Sequence, residues 1–377
     1  MRIAFIYPYL TRISGSRGPL AIASALSSGN EVDIFTYSVR ENLIDSVKFI
    51  SGKASFYYLH NVEKSRFGIL FAIKYQVLRG IDRELFRMIH EKHRENPYDM
   101  VIVASNEGRN IGQYMKKIDE RKPVTSLILM ELHDHGFHMY YERKYGMIRF
   151  LAWPIYPMIN IIERWRFRSF DLIFANSLWT STMFQYLYGI EVAASLPTLA
   201  PENLSESPSD SGYIAVPTVS ITAEQIKIIQ KLANDGFKLK CFGPRKVDVG
   251  EYFGFVTDQE RLKLMAGARA TLFLFDYEAL GLIPLESLQL GTPVVTIPKE
   301  GPLSELRDCS DVYFATEYYQ FQEILSELVS RPKATETVER CKSYASRFAP
   351  ENSVKKILQA YTYHHVQRFS GTSGQSK

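Results

Sequence analysis

Cysteine is scarce in this sequence. The 377 residues hold three, Cys241, Cys309 and Cys341, too few and too scattered for a disulfide framework or a zinc ribbon. A reducing, cytoplasmic setting is the expectation. No Lys/Arg-dense run, zinc-finger spacing or RNP-like motif is present, which argues against nucleic acid as a partner. No clean long apolar run is present either: the most apolar long window, 146–162, carries Arg149 and is broken by Pro154 and Pro157. Met1–Leu10 has one Arg and ends in Tyr-Pro-Tyr-Leu, which suits a buried strand better than a secretory signal. Internal repeats and low-complexity blocks are absent. With 46% hydrophobic and 23% charged residues, the composition excludes collagen-like and disordered chains. The net charge of +4 is unevenly spread: residues 1–200 hold 25 Lys/Arg against 19 Asp/Glu, whereas 201–377 hold 20 against 22. A basic first half suits an anionic surface or a phosphorylated substrate.

What is there is alternation. Strand-like runs at Arg2–Tyr7, Glu31–Thr36, Met100–Ala104, Val124–Met130 and Asp171–Asn176 are near-continuously apolar, as in strands buried on both faces. Between them lie a turn-rich Thr11–Gly18, a helix at Leu20–Leu26 and a long helix at Ile69–His93. Residues 201–212 are polar and rich in Pro and Ser and read as a linker. The alternation then restarts: strand Tyr213–Val216, helix Ala223–Asn234, strand Lys238–Phe242, helix Asp258–Ala266, strand Ala270–Phe275, helix Pro284–Leu290 and strand Pro293–Ile297. Helices at Tyr319–Val329, Thr335–Arg347 and Pro350–His365 follow. The expected architecture is α/β: two doubly wound Rossmann-like domains, 1–200 and 213–349, with the strand ends of both facing a central cleft. The C-terminal helix, 350–367, is expected to pack back on the first domain.

The segment richest in chemistry runs Tyr277-Glu278-Ala279-Leu280-Gly281-Leu282-Ile283-Pro284-Leu285-Glu286 and on to Gly291-Thr292-Pro293-Val294-Val295. A carboxylate, Glu278, sits in the turn after an apolar strand. The chain then enters a helix with Pro284 in its first turn, where a missing N–H costs nothing. Free backbone N–H groups at such a start hold phosphate oxygens. Glu286, taken as a partly exposed helix-start carboxylate, offers several acceptor sites to vicinal sugar hydroxyls; its plainer role is to complement the helix dipole.

Two glutamates eight positions apart, with Gly281-Leu282-Ile283-Pro284 between them, resemble the Glu-x7-Glu signature of glycosyltransferase family 4, retaining enzymes of the GT-B fold. Gly301-Pro302-Leu303-Ser304-Glu305 resembles the family's following Gly-Gly-x-x-Glu stretch. Tyr252-Phe253-Gly254-Phe255-Val256 with Leu262–Ala268 is similar to the segment before the donor motif. The resemblance implies that Glu278 faces the donor sugar and Glu286 binds the nucleotide ribose, with Gly281 and Leu282 at the donor. It further implies a hexose-type sugar moved from a nucleotide diphosphate sugar to a glycan or lipid-linked acceptor, with the sugar nucleotide as co-substrate and no cofactor or metal.

The first half agrees more loosely. Ser14-Gly15-Ser16-Arg17-Gly18 stands where the family has a glycine-rich loop, implying that Gly15 and Ser16 face the donor phosphates; an ordinary strand-to-helix turn is the plain reading. His133, at the end of the Val124–Met130 strand, stands where the family often has a histidine near the reacting sugar. The spacing of His133, His135 and His138 matches no standard zinc site. Ala175-Asn176-Ser177 after Phe170-Asp171 resembles the segment closing the family's first domain.

One departure stands out. The family usually places Arg and Lys, five residues apart, after the first strand of the second domain, gripping the diphosphate. Ala215 to Lys227 holds no Arg and only a late Lys. Arg245, Lys246 or Arg17 would have to substitute. The same departure favours two alternatives, a non-catalytic sugar-nucleotide or glycan-binding protein and a GT-B nucleotide-sugar isomerase. Finally, Arg143–Arg168 interleaves Arg and Lys with Trp153, Tyr156, Trp165 and Phe167, the mixture of an interfacial contact with the inner face of a membrane, or of a buried helix hairpin.

Overall fold

The computed structural model describes residues 1–7, 9–10, 13–39, 44, 47, 52–61, 80–105, 108, 110–118, 121–130, 156–201, 211–275 and 277–370. The chain forms two compact units: Met1–Ala200 with Pro350–Lys377, and Pro201–Ala349.

The first unit runs β1 (Arg2–Ile6), β2 (Tyr9–Leu10), α1 (Ile13–Leu26), β3 (Glu31–Val39), β4 (Ser55–Asn61), α2 (Gly80–Glu95), β5 (Met100–Val103), α3 (Ile111–Met115), β6 (Val124–Leu129), α4 (Tyr156–Phe167), β7 (Leu172–Ala175), α5 (Leu178–Tyr188) and β8 (Ala194–Ser195). Its sheet is ordered β2-β3-β1-β5-β6-β7-β8, with β4 also on β3. Every pairing is parallel: Ile3 lies opposite both Val32 and Met100. Strand period two explains why β1 shows no polar alternation. Ala4 and Ile6 enter the core on one face, while Ile3 and Phe5 enter the core on the other.

The first helix begins earlier than the sequence pattern predicts. The stretch read as a turn belongs from Ile13 onward to α1, so Gly15 and Ser16 lie in its first turns. Strand β4 was not foreseen; its Ser55-Phe56-Tyr57-Tyr58 carries little buried surface and sits at the margin of the sheet. Of the long helix expected at Ile69–His93, the described part is Gly80–Glu95.

The second unit runs β9 (Ile214–Pro217), α6 (Ala223–Asn234), β10 (Leu239–Phe242), β11 (Glu251–Tyr252), α7 (Asp258–Ala266), β12 (Ala270–Phe273), α8 (Leu282–Gln289), β13 (Val294–Thr296), α9 (Glu300–Leu306), β14 (Val312–Phe314), α10 (Tyr318–Ser330) and α11 (Thr335–Ala345). Its parallel sheet is ordered β11-β10-β9-β12-β13-β14, and β9 likewise feeds two cores, Ile214 and Val216 on one side and Ala215 on the other. Helices α6 and α7 start on capping boxes, Thr222 with Gln225 and Thr257 with Glu260.

The chain then returns to the first unit as α12 (Pro350–Ser370), which packs on α1. Ile357 is fully buried there, Ser353 Oγ lies 2.7 Å from Thr198 Oγ1, and Lys356 donates to the Ser195 carbonyl at 2.8 Å. At the amino-terminal ends of β1 and β3, Arg2 contacts Glu31 at 2.9 Å and Asp33 at 2.8 Å, and the buried Tyr98 hydroxyl donates to Asp33 at 2.6 Å. Burial and that carboxylate push the Tyr98 phenol well above its ordinary range. No described helix is long and apolar enough to cross a membrane.

Candidate functional site

The strand order of the second unit locates the site. From β9 the chain moves outward through β10 and β11, then crosses back to lay β12 on the other side of β9. In an open parallel sheet, ligands bind at the carboxyl ends of the two strands where the order reverses. Those ends are the loop 218–222 after β9 and the turn 277–281 after β12.

Backbone strain converges on the same edge. The only non-glycine residues with positive φ among the described residues are Ser220, at 52°, in the loop after β9, and Glu300, at 49°, after β13. Such conformations persist where surrounding contacts enforce them, and they gather at functional sites. Gln225, half of the α6 capping box, donates from Nε2 to the Phe275 carbonyl at 2.6 Å and so ties the β9 loop to the end of β12. Gly243 follows β10 with φ 131°, and a Cβ there would lie 2.8 Å from Thr218 Oγ1; only glycine lets these two loops meet.

Glu278 is half-buried in the turn. Its Oε1 accepts from the Gly281 N–H at 3.2 Å and sits 3.4 Å from the Leu280 nitrogen, and its own N–H donates to Glu300 Oε2 at 2.8 Å. The Gly301 N–H donates to the Glu278 carbonyl at 3.1 Å. A Cβ on Gly301 would stand 2.2 Å from the Ala279 carbonyl oxygen, so the two segments touch through bare backbone. Burial and the neighbouring Glu278 raise the Glu300 carboxyl above its ordinary range, with burial the larger cause and the Glu278 N–H opposing it. Gly281, at φ 92°, caps α8, leaving the N–H groups of Leu282 and Ile283 at the opening of that helix.

Glu286 departs from expectation. Helix α8 begins at Leu282, two residues before the predicted start, so Glu286 lies in the second turn and is 6% exposed. Its carboxylate is in direct contact with the Arg261 guanidinium from α7, which also reaches Asp258 at 3.3 Å. It is a buried, ion-paired group rather than an exposed helix-start carboxylate. Of the cations expected to replace the diphosphate-gripping pair, Arg245 donates to the Ile221 carbonyl at 2.5 Å, which brings it to the β9 loop. Lys246 is exposed and paired with Asp248 at 3.2 Å.

In the first unit, Gly15, Ser16 and Arg17 lie on α1. His133, His135 and His138 lie outside the described residues. So does the first half of Arg143–Arg168, residues 143–155; the described half is α4 with Arg168. Among the described residues no group of three or more His, Cys, Asp or Glu is placed to hold a metal ion.

Sequence reasoning missed Glu300, Arg261 and Gln225. Arg261 and Gln225 act through pairings that join residues 25 and 50 positions apart. For Glu300 a local signal existed, a carboxylate directly before Gly301-Pro302.

Residues 248–348 match the family model described as Glycosyl transferases group 1. The match spans α7, Glu278, Glu286 and Glu300. Comparison with characterised protein sequences finds no match. Among solved structures, the chain is similar to sucrose-phosphate synthase from Thermosynechococcus elongatus, at a TM-score of 0.66 and 14% identity, over 98% of this chain and 100% of that one. An Anabaena protein solved in complex with UDP and glucose matches at 0.65 and 14%, over 96% and 100%. A Phytolacca americana enzyme complexed with UDP-2-fluoro-glucose and pterostilbene matches at 0.57 and 10%, over 97% and 99%. The architecture is that of GT-B glycosyltransferases, and the family match over the unit that carries the site supports sugar transfer.

Proposed function

We propose that this protein is a retaining glycosyltransferase, similar to family 4, moving a hexose-type sugar from a nucleotide diphosphate sugar to a glycan or lipid-linked acceptor at the inner face of a membrane. The observation that carries the reading is Glu278. It is a carboxylate fixed at the switch-point turn by backbone N–H groups and by Glu300, inside the matched segment. A negative charge held there stabilises positive charge developing on a transferred sugar, without reorganising during the reaction. The N–H groups opening α8 and the Arg245 guanidinium suit the departing diphosphate. Glu286 serves the ribose through its paired carboxylate, with Arg261 setting its orientation. His133 contacts the transferred sugar or the acceptor, and Gly15 and Ser16 line the phosphate side. Two similar structures hold UDP with glucose or a fluorinated glucose, which supports a nucleotide-sugar donor.

The test is incubation with a panel of nucleotide sugars, with and without acceptor extracts, reading released nucleoside diphosphate by mass. Acceptor-dependent release establishes transfer. Binding without release supports the sugar-nucleotide-binding alternative, which the missing Arg and Lys after β9 favours. Interconversion of the nucleotide sugar alone supports the isomerase.

A further inference from the structure

Helix α4 is turned inside out. Its inner face carries Glu163 and Arg166, 8% and 9% exposed and joined at 2.5 Å, with buried Phe167 beside them. Its outer face carries Ile161, 69% exposed, Trp165, 62%, and Ile162, 38%. At 3.6 residues per turn, Ile161 and Trp165 occupy the middle of the exposed arc. Ile162 flanks them on one side, and the exposed Arg164 and Arg168 on the other. A helix bordering water has the reverse arrangement, apolar side inward. Burying an ion pair carries a desolvation penalty, and exposing tryptophan and isoleucine forgoes burial. The exposed apolar residues are unfavourable for a face left in water, so this face is built to be covered.

Its chemistry selects the cover. The only acid of α4, Glu163, points inward, so the outer face bears no negative charge. Arg168 has no ion-pair partner among the described residues, and Arg164 reaches the C-terminal end of α5 at Gly189. An apolar centre with tryptophan, rimmed by arginine and free of acids, is complementary to the headgroup layer of an anionic bilayer.

We propose that α4 seats the first unit on an anionic lipid surface, with Ile161 and Trp165 at interfacial depth and Arg168 at the headgroup phosphates. The inference deepens the membrane side of the proposed function by naming the docking residues; it does not depend on sugar transfer, and its test reads no turnover.

The full chain is mixed with phosphatidylcholine vesicles, with or without about one third phosphatidylglycerol, at low salt. The wild type is expected to sediment with the anionic vesicles and to be released as salt rises. The double variant Ile161→Ser, Trp165→Ser should partition at least about tenfold less while melting at the same temperature, because both side chains are exposed. Arg168→Gln should flatten the salt dependence. The chain has three tryptophans, so the emission lost in Trp165→Phe isolates this one, and it should shift to the blue on anionic vesicles. Equal partitioning of wild type and double variant, or an unshifted Trp165 emission, overturns the proposal. So does a lipid-free dimer that the double variant converts to monomer, since the cover would then be a second copy.

Discussion

Helices α4 and α8 each bury a glutamate against an arginine, and the difference between them is informative. On α4 the partners are Glu163 and Arg166, three residues apart on one helix, so the bond between them ties no second element to α4. On α8 the partner of Glu286 is Arg261 of α7, so the pair fixes two helices beside the switch-point turn. A buried ion pair is a poor source of stability, since well-packed apolar residues often do as well. What each pair does is therefore better read from where it points its neighbours. The α8 pair holds a carboxylate beside the switch-point turn. The α4 pair takes up the inner face and leaves the apolar residues outside.

The largest effect should come from Glu278→Gln, which keeps volume and hydrogen bonding but removes charge. Turnover is expected to fall about 10²-fold or more, the scale set by one preorganised electrostatic group. Nucleotide affinity should change far less; equal turnover in both forms, read by released diphosphate, makes Glu278 a structural turn residue.

Next is the contrast between the two pairs. Glu286→Ala strands a mostly buried Arg261 and should cost about 3 kcal/mol of unfolding free energy, the low end for a broken buried pair because Asp258 stays nearby. Nucleotide affinity should fall by about 1.5–3 kcal/mol, the worth of hydrogen bonds to a charged group. Replacing both Glu286 and Arg261 by Leu should restore most of the stability and none of the binding. The matching Leu pair at Glu163 and Arg166 should also leave stability near wild type, with nucleotide binding untouched. Denaturant titration and calorimetry read the two quantities, and loss of nucleotide binding in the α4 pair would mean that the two pairs do not differ in this way.

A smaller, pH-dependent effect is expected at Glu300. Its carboxyl titrates above its unfolded value, so the folded state binds the proton more tightly. That contribution is fully present below the unfolded value and is lost as pH rises through the folded one. Stability of the wild type relative to Glu300→Gln should therefore decline with rising pH across that window. A flat difference in denaturation midpoints would remove the burial argument.

The smallest expected signal is at the cysteines. All three are buried, and burial pushes the Cys241 and Cys341 thiols up to about 12. Labelling at neutral pH should proceed only as fast as the chain opens. A thiol that reacts at once in native protein contradicts their placement.

The architecture was legible because strands buried on both faces leave unbroken apolar runs, as in Ile3-Ala4-Phe5-Ile6. Edge strands such as β4 and the two-residue β8 carry no such run and were missed. The place of Glu278 in the turn after β12 was legible because the apolar run stops at Phe275 and Gly281 with Pro284 marks the start of the following helix. The burial of Glu286 was not, because its partner arrives from another helix and the start of α8 depends on the left-handed Gly281. Strain at Ser220 and Glu300 leaves no mark on residue type, since nothing about serine or glutamate announces a positive φ.

The return of α12 to the first unit sets an order of assembly. Emerging from the ribosome, the nascent chain presents β1 to β8 first, yet the residues that complete that unit, Ser353 and Ile357, come last. The 149 residues of Pro201–Ala349 are finished while the α1 face still waits for its lid. The second unit can therefore fold to completion before the first, reversing the usual N-terminal-first sequence. A chain released before residue 350 would carry a finished second unit and an unfinished first one with its apolar flank open to whatever chaperone or aggregate meets it.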